Sequence, residues 1–132
     1  MAYQETVRQM YDAFGRGDIP PILAALADDV EWEYGEVSTD VPWLQPRRGR
    51  AAVAGFFEAL GAIDFHSFQP KALLESGPIV VSLIDLDATV RATGRRVVEL
   101  DEVHIWHFDA AGRVVRFRHR ADTHLHWEAY HG

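Results

Sequence analysis

Cysteine is absent from the 132 residues. That excludes a disulfide framework, a thiol nucleophile and a zinc–thiolate centre. Long apolar runs are missing too: nothing approaches the roughly 20 residues that a membrane-spanning helix requires. The opening MAYQETVRQM lacks the charged-then-apolar layout of a secretory leader, and a soluble, cytoplasmic protein is expected. Positive charge is scarce. Thirteen Lys and Arg face twenty Asp and Glu, for a net charge of −7. Binding nucleic acid needs a basic face to neutralise phosphates, so that partner class is not expected. Arg47, Arg48 and Arg50 cluster near a helix start, and three arginines on one loop read as a solvated turn. Without a glycine-rich phosphate loop, no organic cofactor is expected. Repeats, low-complexity tracts and linkers are also lacking.

What remains is material for a core. Apolar residues make up 48% of the chain and aromatics 11%, which argues against disorder and suits one domain over 1–132. Tyr3, Val7, Met10, Tyr11 and Phe14 recur at helical spacing until Gly15 and Gly17. Asp18 with Pro20 and Pro21 starts a second short helix, since missing N–H groups cost nothing in a first turn. Val30, Trp32 and Tyr34 alternate with Glu31 and Glu33 as in a half-buried strand. The loop 35–48 carries Trp43 and is long enough to act as a lid. A third helix from about Arg50 buries Val53, Phe56, Phe57 and Leu60. Four strand-like runs follow, at about 63–75, 79–92, 95–108 and 113–122, separated by turn chemistry at Ser76-Gly77, Thr93-Gly94 and Asp109–Gly112. Pro70 suggests an edge or a bulge in the first of them. Helices first and a meander afterwards imply an α+β fold, three N-terminal helices covering one face of a curved, mainly antiparallel sheet.

The last run fixes its own orientation. Arg116, Arg118 and Arg120 share one face, and three arginines are not buried unpaired; Phe117 and His119 therefore point inward. A four-residue turn at 109–112 places His119 opposite Glu102 and Phe117 opposite His104. A two-residue Thr93-Gly94 turn then places Glu102 opposite Asp85 and Leu100 opposite Asp87. Directly opposed residues share a face, giving an inward row Asp85–Glu102–His119 with Asp87 and His104 beside it. A three-residue loop with a bulge at Gly112 gives the other answer. It puts Val103, Ile105, Ile84, Leu86 and Ala88 inside, with Asp101 among them, and Asp85, Asp87, Glu102 and His104 outside. Pattern alone leaves both registers open.

Several strings then take on a family likeness: VRQMYDAFGRGD (7–18), LADDVEWEY (26–34), the Pro-Trp…Arg-Gly-Arg loop into AVAGFFEAL (52–60), ATGR (92–95), VHIWHFDAAGRVVRFR (103–118) and Ala121-Asp122-Thr123. The chain resembles the SnoaL-like branch of the nuclear-transport-factor-2-like superfamily, which also includes ketosteroid isomerases and limonene epoxide hydrolases. The resemblance implies a cone-shaped α+β barrel, usually a homodimer, with a pocket between sheet and helices for a small hydrophobic molecule. It favours the first register. It also implies an acid or base near His119, a histidine or aromatic near His104, and polar residues near Trp32, Tyr34, Asp85 and Asp87. The departures are His119, where Asp or Glu is usual, and Asp85, where the epoxide hydrolases carry arginine.

The catalytic candidates are therefore His119, Glu102, Asp85 and Asp87. Clustered carboxylates in a partly dry pocket cannot all ionise comfortably, and an imidazole facing one of them is an oriented base near neutral pH. The expected lining is Trp32, Tyr34, His104, Phe117, Leu100, Tyr11, Phe14 and Trp106, aromatic walls with a few polar handles. His124-Leu125-His126 puts two imidazoles on one strand face, but no third ligand is fixed by spacing and no metal is assigned. The expectation is proton transfer on a hydrophobic carbonyl- or epoxide-bearing metabolite, as in an isomerase, cyclase, dehydratase or hydrolase. The alternative is a non-catalytic binding domain that uses the same pocket.

Overall fold

In the computed structural model, residues 3–35 and 39–132 are described. Helix α1 (Tyr3–Gly15) and the short α2 (Pro20–Ala24) precede strand β1 (Leu26–Trp32). A 3-10 turn at Pro42–Leu44 leads into β2 (Arg47–Arg48) and helix α3 (Arg50–Ala59). The meander then runs through β3 (Ile63–Ser76), β4 (Ile79–Val90), β5 (Arg96–Phe108) and β6 (Val114–Arg120), and helix α4 (Thr123–His131) closes the chain. The fold class read from sequence is the observed one, with two additions. The sheet is strongly curved but open, and its C-terminal segment is helical. Asp122 explains the helix: its side chain accepts a hydrogen bond from Leu125 N–H at 3.1 Å, an N-cap. No helix among the described residues is long and apolar enough to cross a membrane.

The six strands lie in the order β2-β1-β6-β5-β4-β3, with β1 parallel to β6 and every other pair antiparallel. Pro70 lies on the edge strand β3 and beside a register shift, where a missing donor costs least. Helix α1 packs on β3 and β4, α3 on β1, and α4 on β4 and β5. Arg50 tethers the start of α3, donating to the Leu26 carbonyl at 2.7 Å and pairing with Asp28 at 3.1 Å.

Neither anticipated register survives intact. The 109–112 turn is a three-residue loop: Asp109 N–H donates to the Arg113 carbonyl at 2.9 Å, and Gly112 has φ 82°. An extra residue, Val115, then shifts the pairing so that His119 opposes His104 and Phe117 opposes Trp106. On the other side of β5, Ile84 opposes Glu102 while Leu86 opposes Glu99. Between those pairs β5 spends two residues, Leu100 and Asp101, against the single Asp85. That is a β-bulge, and Asp101 carries its positive φ of 59°. The interior accordingly mixes the two readings. Glu102, His104, Phe117 and His119 point in, together with Ile84, Leu86 and Ala88.

Candidate functional site

The concave face of the sheet and helices α1 and α3 enclose a cavity of about 770 Å³ of atom-free space, including its open mouth. Its wall is overwhelmingly apolar. Trp32 stacks on Phe117 with centroids 4.0 Å apart, and Trp106 and Phe56 meet Trp32 at 6.0 and 5.2 Å. Phe14 and Tyr11 from α1 reach Phe68 at 5.0 and 5.9 Å. Among the expected lining residues, Tyr11, Phe14, Trp32, His104, Trp106 and Phe117 are in place.

Four expected residues are not. Asp85 lies on the outer face, bound to Lys71 Nζ at 2.8 Å and to the backbone N–H of Asp101 at 3.1 Å. Asp87 is held outside by Arg96. Leu100 is 70% exposed. The bulge is the common cause, because the extra residue puts β4 out of step with the inward Glu102. Tyr34 leaves the pocket for a different reason. Glu33 adopts φ 57°, which ends the alternation of β1 one residue early. Tyr34 then turns outward, where its hydroxyl shares a hydrogen bond with His107 Nε2 at 3.0 Å and the Arg116 guanidinium lies 3.9 Å over its ring.

The same turn swings Glu33 inward, where the alternating pattern had placed it in solvent. Its carboxylate accepts from the His119 backbone N–H at 2.7 Å and from His119 Nδ1. That fixes the imidazole: Nδ1 carries the proton and Nε2 faces Glu102 Oε1 across 4.0 Å, too far for a hydrogen bond. Burial opposes a charge on His119, but the Glu33 carboxylate and then Glu102 outweigh it and raise its pKa.

A second chain of polar groups meets it. Trp106 Nε1–H donates to the Tyr11 oxygen at 3.2 Å, the Tyr11 hydroxyl donates to His104 Nδ1 at 2.7 Å, and His104 Nε2–H donates to Glu102 Oε1 at 2.7 Å. Every donor in that series has an acceptor, with His104 neutral. Burial holds His104 below its ordinary value despite Glu102, and pushes the Tyr11 hydroxyl up. Glu102 is 3% exposed. Burial works against its charge, yet the hydrogen bond from His104 and the His126 ring close by hold its pKa well below the ordinary 4.5.

The third arm comes from α4, which the His-x-His spacing of 124 and 126 disguises as strand in the sequence. His126 is buried, while His124 is exposed and pairs with Glu128 at 2.9 Å. His126 Nε2 donates to Glu99 Oε1 at 2.7 Å and lies 3.6 Å from Glu102 Oε2. Two carboxylates favour an imidazolium there, up to about 9, with burial opposing. Trp43 decides otherwise. Its indole N–H, which can only donate, points at His126 Nδ1 at 2.9 Å; an imidazolium has no acceptor to offer it. The tautomer that fits is the neutral one with its proton on Nε2. Trp43 and Leu44 are buried against the cavity, so this part of the 35–48 loop forms cavity wall. Residues 36–38 of that loop lie outside the described residues.

Comparison with known proteins supplies the context. A sequence model of the SnoaL-like domain matches residues 7–117. A nuclear-transport-factor-2-like protein of unknown function from Burkholderia pseudomallei K96243 is 30% identical, covering 100% of this chain and 99% of its own, with a TM-score of 0.85. A similar protein from Burkholderia thailandensis E264 is 29% identical over 96% of this chain and 95% of its own, with a TM-score of 0.81. TerC, crystallised with polyporic acid, is 24% identical over the whole of both chains, with a TM-score of 0.80. No protein of curated function matches.

Proposed function

Because the chain belongs to the SnoaL-like domain family, we propose that its cavity receives a small, largely apolar molecule and that His119 exchanges a proton with it. One observation carries the reading. An imidazole oriented through Nδ1 by the buried Glu33 turns its other nitrogen toward an aromatic-walled cavity. Such a pair is a general base when Nε2 is free and a general acid when it is protonated. Apolar walls bind the body of the ligand; Glu102, His104 and Tyr11 supply the polar contacts that orient its oxygen. Isomerase or cyclase chemistry on a carbonyl-bearing molecule suits these parts, since it needs proton transfer and no redox partner. The polyporic acid crystallised with TerC makes a hydrophobic oxygenated ring compound a reasonable first probe. The homodimer expected from the resemblance belongs to the same proposal, with exposed Val98 and Leu100 available to a second copy.

The test is a panel of hydrophobic ketones, enones and hydroxyquinones, screened by mass spectrometry for isomerised or cyclised product. His119→Ala is expected to lower turnover by about 10²–10⁴-fold, the usual contribution of a positioned acid or base. Undiminished turnover in that variant would sink the role given to His119. Tight binding with no turnover of any compound would make the domain a binder.

A further inference from the structure

We propose that Glu102, His104 and His119 form a binding site for one divalent first-row transition-metal ion, backed by Tyr11 and Glu33. The proposal does not depend on proton transfer, because it concerns what the three side chains can hold.

Glu102 Oε1, His104 Nε2 and His119 Nε2 converge from neighbouring strands, with all ligand atoms within 4.8 Å of one another. Zinc and its neighbours bind imidazole nitrogen and carboxylate oxygen at about 2.0–2.2 Å. Ligand atoms around such an ion stand roughly 3–4 Å apart by that geometry. The 4.0 Å between His119 Nε2 and Glu102 Oε1 already fits. The 2.7 Å between His104 Nε2 and Glu102 Oε1 is shorter because a proton lies between them. An ion replaces that proton, and the pair opens by less than 1 Å on that reckoning.

The outer supports are of the kind metal-binding histidines use. A ligating imidazole normally gives its other N–H to a carboxylate or another oxygen, which fixes ring and tautomer. His119 Nδ1 meets the Glu33 carboxylate, and His104 Nδ1 meets the Tyr11 oxygen at 2.7 Å. When His104 ligates through Nε2, its proton moves to Nδ1 and the Tyr11 oxygen accepts it. Glu102 and Glu33 together supply two negative charges to balance the ion, as burial of a divalent charge requires.

A second, independent observation points to a missing partner. Glu102 Oε2 is buried and without a hydrogen bond among the described residues, in a side chain 3% exposed. Leaving a buried carboxylate oxygen unpaired is costly. An ion that takes both oxygens of the carboxylate, Oε2 as well as Oε1, relieves that cost.

Glu99, Glu102 and His126 form a comparable cluster, but the Trp43 contact excludes it. His126 Nδ1 accepts the indole hydrogen, so Nε2 must keep its proton and has no lone pair to give. His119 is the reverse case, because its Nδ1 faces an acceptor. Three protein ligands leave one or more positions open toward the cavity, the arrangement of a site that takes a further ligand. The ion and proton transfer compete for the same Nε2 lone pair, and a divalent ion therefore inhibits turnover by the route proposed above.

The experiment is titration of the metal-stripped full chain with Co²⁺, followed by visible absorption, and with Zn²⁺ in competition. The expected result is one Co²⁺ per chain, displaced by Zn²⁺. His104→Ala and His119→Ala should each weaken binding at least 100-fold, and Glu33→Gln by about 10–100-fold, the usual cost of an outer partner. His124→Ala, at an exposed imidazole outside the cavity, should leave affinity within threefold. Glu33→Gln and His104→Gln, with folding checked by circular dichroism, keep the test open if an alanine variant does not fold. Absence of Co²⁺ binding, or binding that persists in folded His119→Ala and Glu33→Gln, would overturn the site and assign any ion to surface histidines such as His124. Loss of the metal site would leave the proton-transfer reading intact, since that is measured on metal-free protein.

Discussion

Glu33 and Asp101 are the two non-glycine residues with positive φ among the described residues, and each sits where a strand changes which face it offers to the cavity. Side chains other than Gly, Asn and Asp rarely adopt that region, at a cost of order 1–3 kcal/mol, and such residues cluster at functional sites. At Glu33 the turned backbone delivers a carboxylate to His119. Replacement by Gln keeps the shape but removes the charge, and should lower proton-transfer activity roughly 10–100-fold, in line with loss of an orienting partner, with thermal stability measured alongside. Asp85→Asn and Asp87→Asn should leave ligand affinity and turnover unchanged, because both carboxylates face away from the cavity; kinetics on the two variants decide it. The imidazoles should separate in an NMR titration. Burial, and then the Arg116 charge, hold His107 below 6.5, whereas Glu33 and Glu102, against burial, hold His119 above it. Stability contributed by His107 is therefore present above pH 6.5 and lost as pH falls below it. That from His119 is full below pH 6.5 and lost as pH rises through its raised value. Midpoints in the opposite order would refute both assignments.

Among the elements, the bulge in β5 decides the site. Leu100 and Asp101 both face solvent there, so every residue of β5 beyond the bulge, Glu102 and His104 included, lies on the face opposite to the one plain alternation from Glu99 assigns it. Deletion of Asp101 should remove the bulge and restore plain alternation with Glu99 and Glu102 both facing the cavity, so ligand binding should survive in a protein with near-native circular dichroism. Asp101→Gly should be tolerated or slightly stabilising, as glycine adopts φ 59° without strain; denaturant unfolding of the two variants tests the pair. This is also where the sequence stopped being legible. Helices α1 to α3, the four-strand meander, the Pro70 edge and the inward Phe117 and His119 follow from periodicity and turn residues. A bulge adds one residue without a composition signal, so Leu100-Asp101-Glu102 reads as plain alternation. At 109–112 the bulge at Gly112 was one of two open readings; the second irregularity at Val115 carries no mark. Period two places Glu33 in solvent, and only its backbone angle says otherwise. For α4 the signal existed: Asp122 ahead of Thr123 is a cap, hidden by the pull of two histidines spaced as on a strand.

On the scale of the whole molecule, a strongly acidic chain builds an aromatic interior and places nearly all its buried charge in one spot. Glu33, Glu99 and Glu102 meet His104, His119 and His126 there, on four separate segments of the chain. The apolar shell must both stabilise the fold and leave the cavity open. Phe117 serves both ends, stacked on Trp32 and fully buried; Phe117→Ala should cost about 3–5 kcal/mol in urea unfolding, as for other large-to-small core changes. The central claim is that the Glu33-oriented imidazole of His119 meets a ligand inside the cone. A crystal structure of the protein soaked with polyporic acid or a related hydroxyquinone tests it most directly. The account predicts a ring between the Trp32–Phe117 wall and helix α1, with an oxygen in hydrogen-bond range of His119 Nε2. A ligand bound on the outer face near Asp85, or a ligand in the cavity with its oxygens turned away from His119, would contradict it.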